Sequence, residues 1–181
     1  MTTMQEIKVT ASRIAVLIGK GGKTKREIEK AAGTVLTIDS EEGIVTVEGE
    51  DTLAVLRTVE LIRAVNRGFS PERAGVLLED EDLILDIIDL SPVCTSQKAM
   101  DRVRGRIIGR EGRAREQIED MTGCFISVMG KTVALIGLPE QLKTARAAID
   151  MLVTGVPHET VYSFLDRKKK EAKHEILDYY Y

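Results

Sequence analysis

The spacing of apolar residues changes period several times along the chain, and each change marks an element. From Glu6 to Thr10 apolar and polar positions alternate, with Ile7 and Val9 on one side, which predicts a strand. Ser12 then stands as the N-cap of a short helix, Arg13 to Ile18, which glycines interrupt. A second helix runs from Lys23 to Ala32 with Gly33 as its C-cap. Val35 to Ile38 forms a strand, Glu41-Glu42-Gly43 turns the chain, and Ile44 to Val47 returns as the hairpin partner. From Asp51 to Arg67, Val55, Val59 and Ile62 recur at i, i+4 and i+7, the spacing of a helix with one apolar face. The order is β-α-α-β-β-α.

The same order then returns. Leu83 to Leu90 is a strand, Lys98 to Ile108 and Arg113 to Met121 are helices, and Phe125 to Met129 pairs with Thr132 to Ile136 around Gly130. Pro139 to Val153 closes the second copy as a helix with Leu142, Ala145, Ile149 and Leu152 on its inner face. Between the copies, Ser70-Pro71-Glu72 opens a short helix through Leu78, and the acidic run Glu79-Asp80-Glu81-Asp82 follows. After the second copy, His158 to Glu175 is a further helix, and Tyr179-Tyr180-Tyr181 reads as a frayed end. The expected boundaries are a first domain over 1–69, a connector over 70–81, a second domain over 82–156 and a C-terminal helix and tail over 157–181.

The repeat is one of residues as well as of pattern. Ile18-Gly19-Lys20-Gly21-Gly22-Lys23 has the same plan as Ile108-Gly109-Arg110-Glu111-Gly112-Arg113, and in the same register Ile28 matches Ile118, Glu29 matches Glu119, Gly33 matches Gly123 and Ile38 matches Val128. An internal repeat of this length means two similar domains.

A G-x-x-G loop between two helices has a specific physical use. The glycines allow close approach and unusual dihedrals. The loop also leads to the N-terminus of the second helix, where unpaired N–H groups and the helix dipole favour an anion. Lys20, Lys23, Arg110 and Arg113 add positive charge, so such a loop can hold a phosphodiester backbone. Beside it, an apolar groove can receive bases. Its candidate residues are Ile18, Ile28 and Leu36 in the first copy and Ile108, Ile118 and Ile126 in the second, with plain core as the competing reading for each.

Charge distribution sharpens the assignment. The net charge over 181 residues is −3, which excludes a protein that coats nucleic acid through overall basicity. Locally, Lys20, Lys23, Lys25, Arg26 and Lys30 crowd the first loop, and Arg102, Arg104, Arg106, Arg110, Arg113 and Arg115 crowd the second. The run Lys168-Lys169-Lys170 reads as a solvated helix face. With 43% apolar and 30% charged residues the composition is globular, and no apolar run approaches the roughly 18 residues of a membrane span. These features, with no apolar signal core from Met1 to Thr10, lead to an expectation of a cytoplasmic protein. Cys94 and Cys124 lack metal-ligand spacing, only His158 and His174 accompany them, and neither a metal site nor a nucleophilic triad can be assembled. Gly22-Lys23-Thr24 does not complete a nucleotide-binding P-loop, because position 17, where a glycine is required, is Leu17. The expectation is a protein without catalytic residues, cofactor or metal.

On these residues the chain resembles the KH family in its type I order, whose modules clamp single-stranded nucleic acid through a GXXG loop. Typical KH domains carry an apolar residue three positions after the last loop glycine; here those positions are Lys25 and Arg115. That departure, the stretch Gly105 to Arg113 and the ending from Ala145 through Val156-Pro157 and Val161-Tyr162 are similar to KH proteins of small-subunit ribosome maturation, the partner-of-Nob-one family and its archaeal relatives.

The resemblance implies an α+β fold of two tandem type I KH domains, each a three-stranded antiparallel sheet packed by helices, plus the C-terminal helix. It further implies a non-enzymatic protein binding single-stranded RNA in the 3′ region of the small-subunit rRNA precursor. Its expected partners are a pre-ribosomal particle and an rRNA-trimming endonuclease; the alternative is an adaptor of an exosome-like RNA-decay assembly. The residues expected at the RNA are Gly19, Lys20, Gly21, Gly22, Lys23, Lys25 and Arg26 in the first copy, and Arg104, Arg106, Gly109, Arg110, Glu111, Gly112, Arg113 and Arg115 in the second. Eukaryotic members tend to have lost the first loop, whereas Gly19 and Gly22 are intact here. Glu111 places an acid beside the phosphate site, where it either weakens the grip or pairs with a neighbouring arginine.

Overall fold

Strand β1 (Thr3–Lys8) begins earlier than its alternation suggests, because it pairs along the full length of β3 (Ile44–Gly49), from Thr3 opposite Gly49 to Lys8 opposite Ile44. Pairing fixes the strand, so Met4 and Gln5 belong to it although they are exposed. Thr10, not Ser12, takes the N-cap position of helix α1 (Ala11–Ile18). After the turn Lys20–Gly22 come α2 (Lys23–Ala32), β2 (Val35–Asp39) and α3 (Thr52–Asn66), whose N-cap Asp51 accepts the Leu53 N–H at 2.9 Å. The sheet order is β1-β3-β2, all antiparallel, so β2 is an edge.

The computed structural model describes residues 1–181, and the chain divides into two compact units, Met1–Leu85 and Asp86–Tyr181. In the first, Leu36, Val45 and Val47 on the sheet and Leu17, Ile28 and Val55 on the helices are buried. Val59 is only half-buried; the inward position on α3 goes to Thr58. Its hydroxyl donates to Ala54 O (2.7 Å) and meets the Thr34 hydroxyl (3.2 Å), so both buried hydroxyls are satisfied. The predicted single helix after Ser70 is two short ones, α4 (Pro71–Ala74) and α5 (Val76–Glu79), separated at Gly75.

In the second unit α6 (Gln97–Ile108), the turn Arg110–Gly112, α7 (Arg113–Thr122), β5 (Phe125–Met129), β6 (Thr132–Gly137) and α8 (Pro139–Val153) repeat the plan. The sheet order is β4-β6-β5, with β4 spanning Ile84–Asp89. The core gathers Val103, Ile107, Ile118, Ile126, Leu135 and Ile149, all nearly inaccessible. Each such side chain contributes about 1.5–3 kcal/mol by leaving water. Helix α9 (His158–Tyr180) adds Val161 and Leu165 to this core, then continues exposed through the tyrosines expected to fray.

Candidate nucleic-acid interface

The two glycine loops have nearly the same backbone. Gly19 and Gly109 share φ, ψ of 70°, −179° and 74°, −179°; Gly22 and Gly112 are left-handed at 77°, 13° and 76°, 9°. Between them Gly21 (61°, 23°) is matched by Glu111 (55°, 27°), the only non-glycine residue with positive φ. The tight turn is closed by Gly22 N–H to Gly19 O and Gly112 N–H to Gly109 O, both 3.3 Å. A Cβ on Gly109 would lie 2.7 Å from Ala114 N, and one on Gly19 would collide with the Thr24 side chain, so the first glycine of each loop is required by close approach. The last is required chiefly by its dihedrals: a Cβ on Gly112 meets no atom nearer than 3.8 Å, and one on Gly22 meets only the flexible Arg26 guanidinium at 3.1 Å.

Each loop delivers the chain to a helix N-terminus with no side-chain cap, at Gly22 for α2 and Gly112 for α7. The Lys23 and Arg113 N–H groups turn back onto Lys20 O and Arg110 O, and it is the N–H groups after them in the first turn, with no side-chain cap, that face an anion. Lys20, Lys23, Arg110 and Arg113 stand exposed around them. Lys23 and Arg113 make only long, exposed pairs, to Glu27 (3.8 Å) and Glu111 (3.7 Å), which bind weakly. Of the two readings of Glu111, the pair with Arg113 is therefore present but loose.

The remaining expected cations have other occupations. Arg26 Nη1 donates to Gly21 O at 2.8 Å and braces the first loop. Lys25 Nζ donates to Glu29 Oε1 and Arg115 Nη1 to Glu119 Oε1, each at 3.0 Å. The same carboxylate oxygens accept the backbone N–H of the edge strands, Leu36 N at 2.9 Å and Ile126 N at 2.8 Å. Burial pushes the Glu29 carboxyl up, but the Leu36 N–H and the neighbouring Lys25 and Arg26 charges outweigh it and hold the group below the usual carboxylate range.

Arg106 does not belong at the loop. It lies on the inner side of α6, where its Nε donates to Leu152 O (3.0 Å) and its Nη2 to Val156 O (2.6 Å), satisfying carbonyls at the end of α8. Arg13 performs the same task in the first unit on Val65 O (2.7 Å) and Phe69 O (2.8 Å). Arg104 is half-buried, and its Nε is buried without a hydrogen-bond partner.

The expected groove floor also changes. Ile28, Leu36, Ile118 and Ile126 are 5%, 2%, 0% and 1% exposed, so they are core: Ile28 and Ile118 lie on the buried faces of α2 and α7, and Leu36 and Ile126 at buried positions of β2 and β5. Ile18 and Ile108 are half-buried at the ends of α1 and α6 and remain accessible. Ile38 and Val128, two residues along the edge strands from Leu36 and Ile126 and therefore on the same face, are half-buried too. They are accessible candidates for the groove that strand alternation marks, although neither is among the residues expected there. No group of three or more His, Cys, Asp or Glu side chains is placed to hold a metal ion, and no helix is long and apolar enough to cross a membrane.

A G-x-x-G turn between two helices beside an edge strand, present twice, defines a pair of type I KH modules. Family models agree: residues 4–64 match the KH domain, and residues 84–170 match the second domain of PNO1 proteins, a eukaryotic type KH-domain (KH-domain type I). A KH domain-containing protein of Methanocaldococcus jannaschii is 40% identical over 175 residues, covering 94% of this chain and 76% of that protein. The archaeal Dim2p of Pyrococcus horikoshii, crystallised in a complex with a/eIF2alpha and rRNA, is 49% identical with a TM-score of 0.88, covering 94% of this chain and 96% of that one. The RNA-binding protein pno-1 of Caenorhabditis elegans is 31% identical over 121 residues, 66% of this chain but only 44% of that protein, so the chain spans under half of that relative's length. The chain belongs to the KH-domain family, in the group that contains PNO1 and archaeal Dim2p.

Proposed function

We propose that this protein binds single-stranded RNA at both glycine loops. We further propose that its target is the 3′ region of the small-subunit rRNA precursor, bound during maturation of that subunit. The observation that carries the reading is the duplicated loop: two matching backbones, each ending at an uncapped helix N-terminus with exposed cations on either side. Such a site takes a phosphodiester backbone through N–H groups and charge, while the groove between the loop helices and the edge strand takes bases. The Pyrococcus relative's complex with rRNA and the pre-rRNA-processing protein pno1 of Emericella nidulans, 27% identical over 125 residues, support the choice of rRNA. In this reading the chain catalyses nothing. It holds the RNA within the pre-ribosomal particle for a partner endonuclease that trims the 3′ end.

The test is a loop substitution that leaves the fold intact. Gly109 is unsuitable, since a side chain there strikes the Ala114 backbone. At Gly112 a side chain meets only the Arg115 guanidinium at 3.8 Å, and at Gly22 only the flexible end of Arg26 at 3.1 Å, so beyond φ the substitutions ask no more than a small shift of an exposed guanidinium. Gly22→Asp with Gly112→Asp places two carboxylates at the proposed phosphate sites. Binding to an oligonucleotide of the small-subunit rRNA 3′ end should fall at least about 100-fold, as expected when charge-assisted contacts are replaced by like-charge repulsion. Unchanged affinity in a folded double variant refutes the assignment.

A further inference from the structure

The duplicated clasp beside each loop has no counterpart in the phosphate chemistry. On an edge strand every second N–H faces away from the sheet. At Leu36 that N–H is taken by Glu29 Oε1 (2.9 Å), which also receives Lys25 Nζ (3.0 Å). The second unit repeats the arrangement with Ile126 N, Glu119 and Arg115. The clasp bridges helix α2 and the edge strand, on the side of the module where an unstacked base would lie. It is accessible, with Glu29 22% and Lys25 31% exposed. Both hydrogen bonds to Glu29 fall on Oε1, and Oε2 accepts none. The groove therefore presents a fixed carboxylate with an acceptor oxygen to spare, next to a movable ammonium.

We infer that Glu29 reads a base in the first groove and selects guanine; the inference rests on the RNA-binding reading above. A carboxylate accepts hydrogen bonds and donates none. Guanine is the one base whose Watson–Crick edge sets two donors side by side, N1–H and N2–H, with the O6 acceptor beyond them. Adenine and cytosine place a ring-nitrogen lone pair beside their amino group, and uracil flanks its N3–H with two carbonyls. Each of those edges turns a lone pair toward the carboxylate. With guanine, Lys25 swings from Oε1 to O6, and the two carboxylate oxygens take N1–H and N2–H as a parallel, charge-assisted pair. Oε1 keeps the Leu36 N–H, so the reading group stays anchored to the strand.

Glu29→Gln separates the two jobs. The glutamine carbonyl still accepts the Leu36 N–H, while the amide NH2 replaces the acceptor Oε2 with a donor. The full chain and this variant are each presented with a randomised single-stranded RNA pool, and the bound fractions are sequenced. The winning sequence is then remade with inosine, which lacks the N2 amino group, at each enriched guanine. The wild type should enrich a fixed guanine and lose about ten-fold in affinity when it becomes inosine. Glu29→Gln should lose that guanine from its enriched set and bind guanine and inosine alike. A variant that enriches the same guanine with the same inosine penalty overturns the role of Glu29 while leaving RNA binding standing. So does a wild type that binds RNA without a fixed guanine, or one indifferent to inosine. A wild type that binds no member of the pool overturns the RNA-binding reading, and this inference with it.

Discussion

Glu111→Gly should make the protein both more stable and a better RNA binder. Glu111 sits at φ 55°, ψ 27°, where its counterpart in the first loop is Gly21 at 61°, 23°. An L residue in the left-handed region costs about 1–2 kcal/mol, because its Cβ crowds the following carbonyl oxygen. Glycine escapes that strain but gives back about 0.5–1 kcal/mol through the greater freedom of its unfolded chain. The Glu111 side chain offers little to set against the change: it is 76% exposed and reaches Arg113 only at 3.7 Å. The net expectation is a gain of about 0.5–1 kcal/mol in the second unit. The effect on binding is separate. A carboxylate about 7 Å from a bound phosphate repels it by about 0.6 kcal/mol in water, so its removal should tighten RNA binding about two- to three-fold at low salt.

Urea unfolding and fluorescence anisotropy with a labelled single-stranded RNA measure the two effects. Gly21→Ala is the reciprocal control. Its Cβ finds no atom within 4 Å, so the dihedral penalty is offset only by the reduced freedom of the unfolded chain, and it should lose about 0.5–1 kcal/mol with no change in loop charge. If Glu111→Gly lowers stability, or Gly21→Ala leaves it unchanged, the left-handed geometry is not what the loop requires and the reasoning fails. If Glu111→Gly stabilises without tightening RNA, phosphate does not approach the second loop.

Three further outcomes follow from the same geometry. Each of the cations Lys20, Lys23, Arg110 and Arg113 that neutralises a phosphate contributes about −0.7 to the log–log salt slope; together they give about −2.8, or about 50-fold weaker binding between 50 and 200 mM salt, and Lys20→Ala should flatten the slope by about 0.7. Arg106→Ala should cost about 2 kcal/mol in urea unfolding by leaving the Val156 carbonyl without its donor and Leu152 O with backbone donors alone, yet leave that slope unchanged; a flattened slope would return Arg106 to the RNA site. Because Glu29 is held below its ordinary range when folded, its clasp adds stability that is present above the unfolded carboxylate value and lost as pH falls through the folded one. The stability difference between wild type and Glu29→Gln should therefore be full at neutral pH and fade below about pH 4, and a difference independent of pH would show that ionisation of Glu29 is not what the clasp uses.

Much of this molecule is legible in the chain because its signals are local. The glycine loops, the element order and the inner face of α8 need only short-range spacing, and Leu142, Ala145, Ile149 and Leu152 are buried as their period demands. Strand β1 is less legible, since Met4 and Gln5 owe their place to β3 partners that lie far along the chain. Thr58 is hidden for a different reason: a hydroxyl interrupts the apolar stripe, and only its bonds to Thr34 and Ala54 make it a core residue.

The division among the basic residues is the instructive case. A cluster of arginines near a glycine loop reads as one patch, but helix α6 distributes it by angle. Met100, Val103 and Ile107 define the buried face, and Arg106, three residues after Val103, is carried to the inner side, where it finds carbonyls. Arg110 lies past the helix end, where the turn holds it in water. Helical phase could have separated these two in advance. It could not have separated Lys25 and Arg115 from the loop cations, because their partners combine a helix neighbour four residues on with an N–H from a strand that the sequence does not place beside them. Net charge near a motif thus overstates the phosphate-binding set. Cations on the loop itself stay exposed, while Lys25 and Arg115 in the first turn of the following helix hold a carboxylate beside the edge strand and Arg26 braces the loop carbonyl.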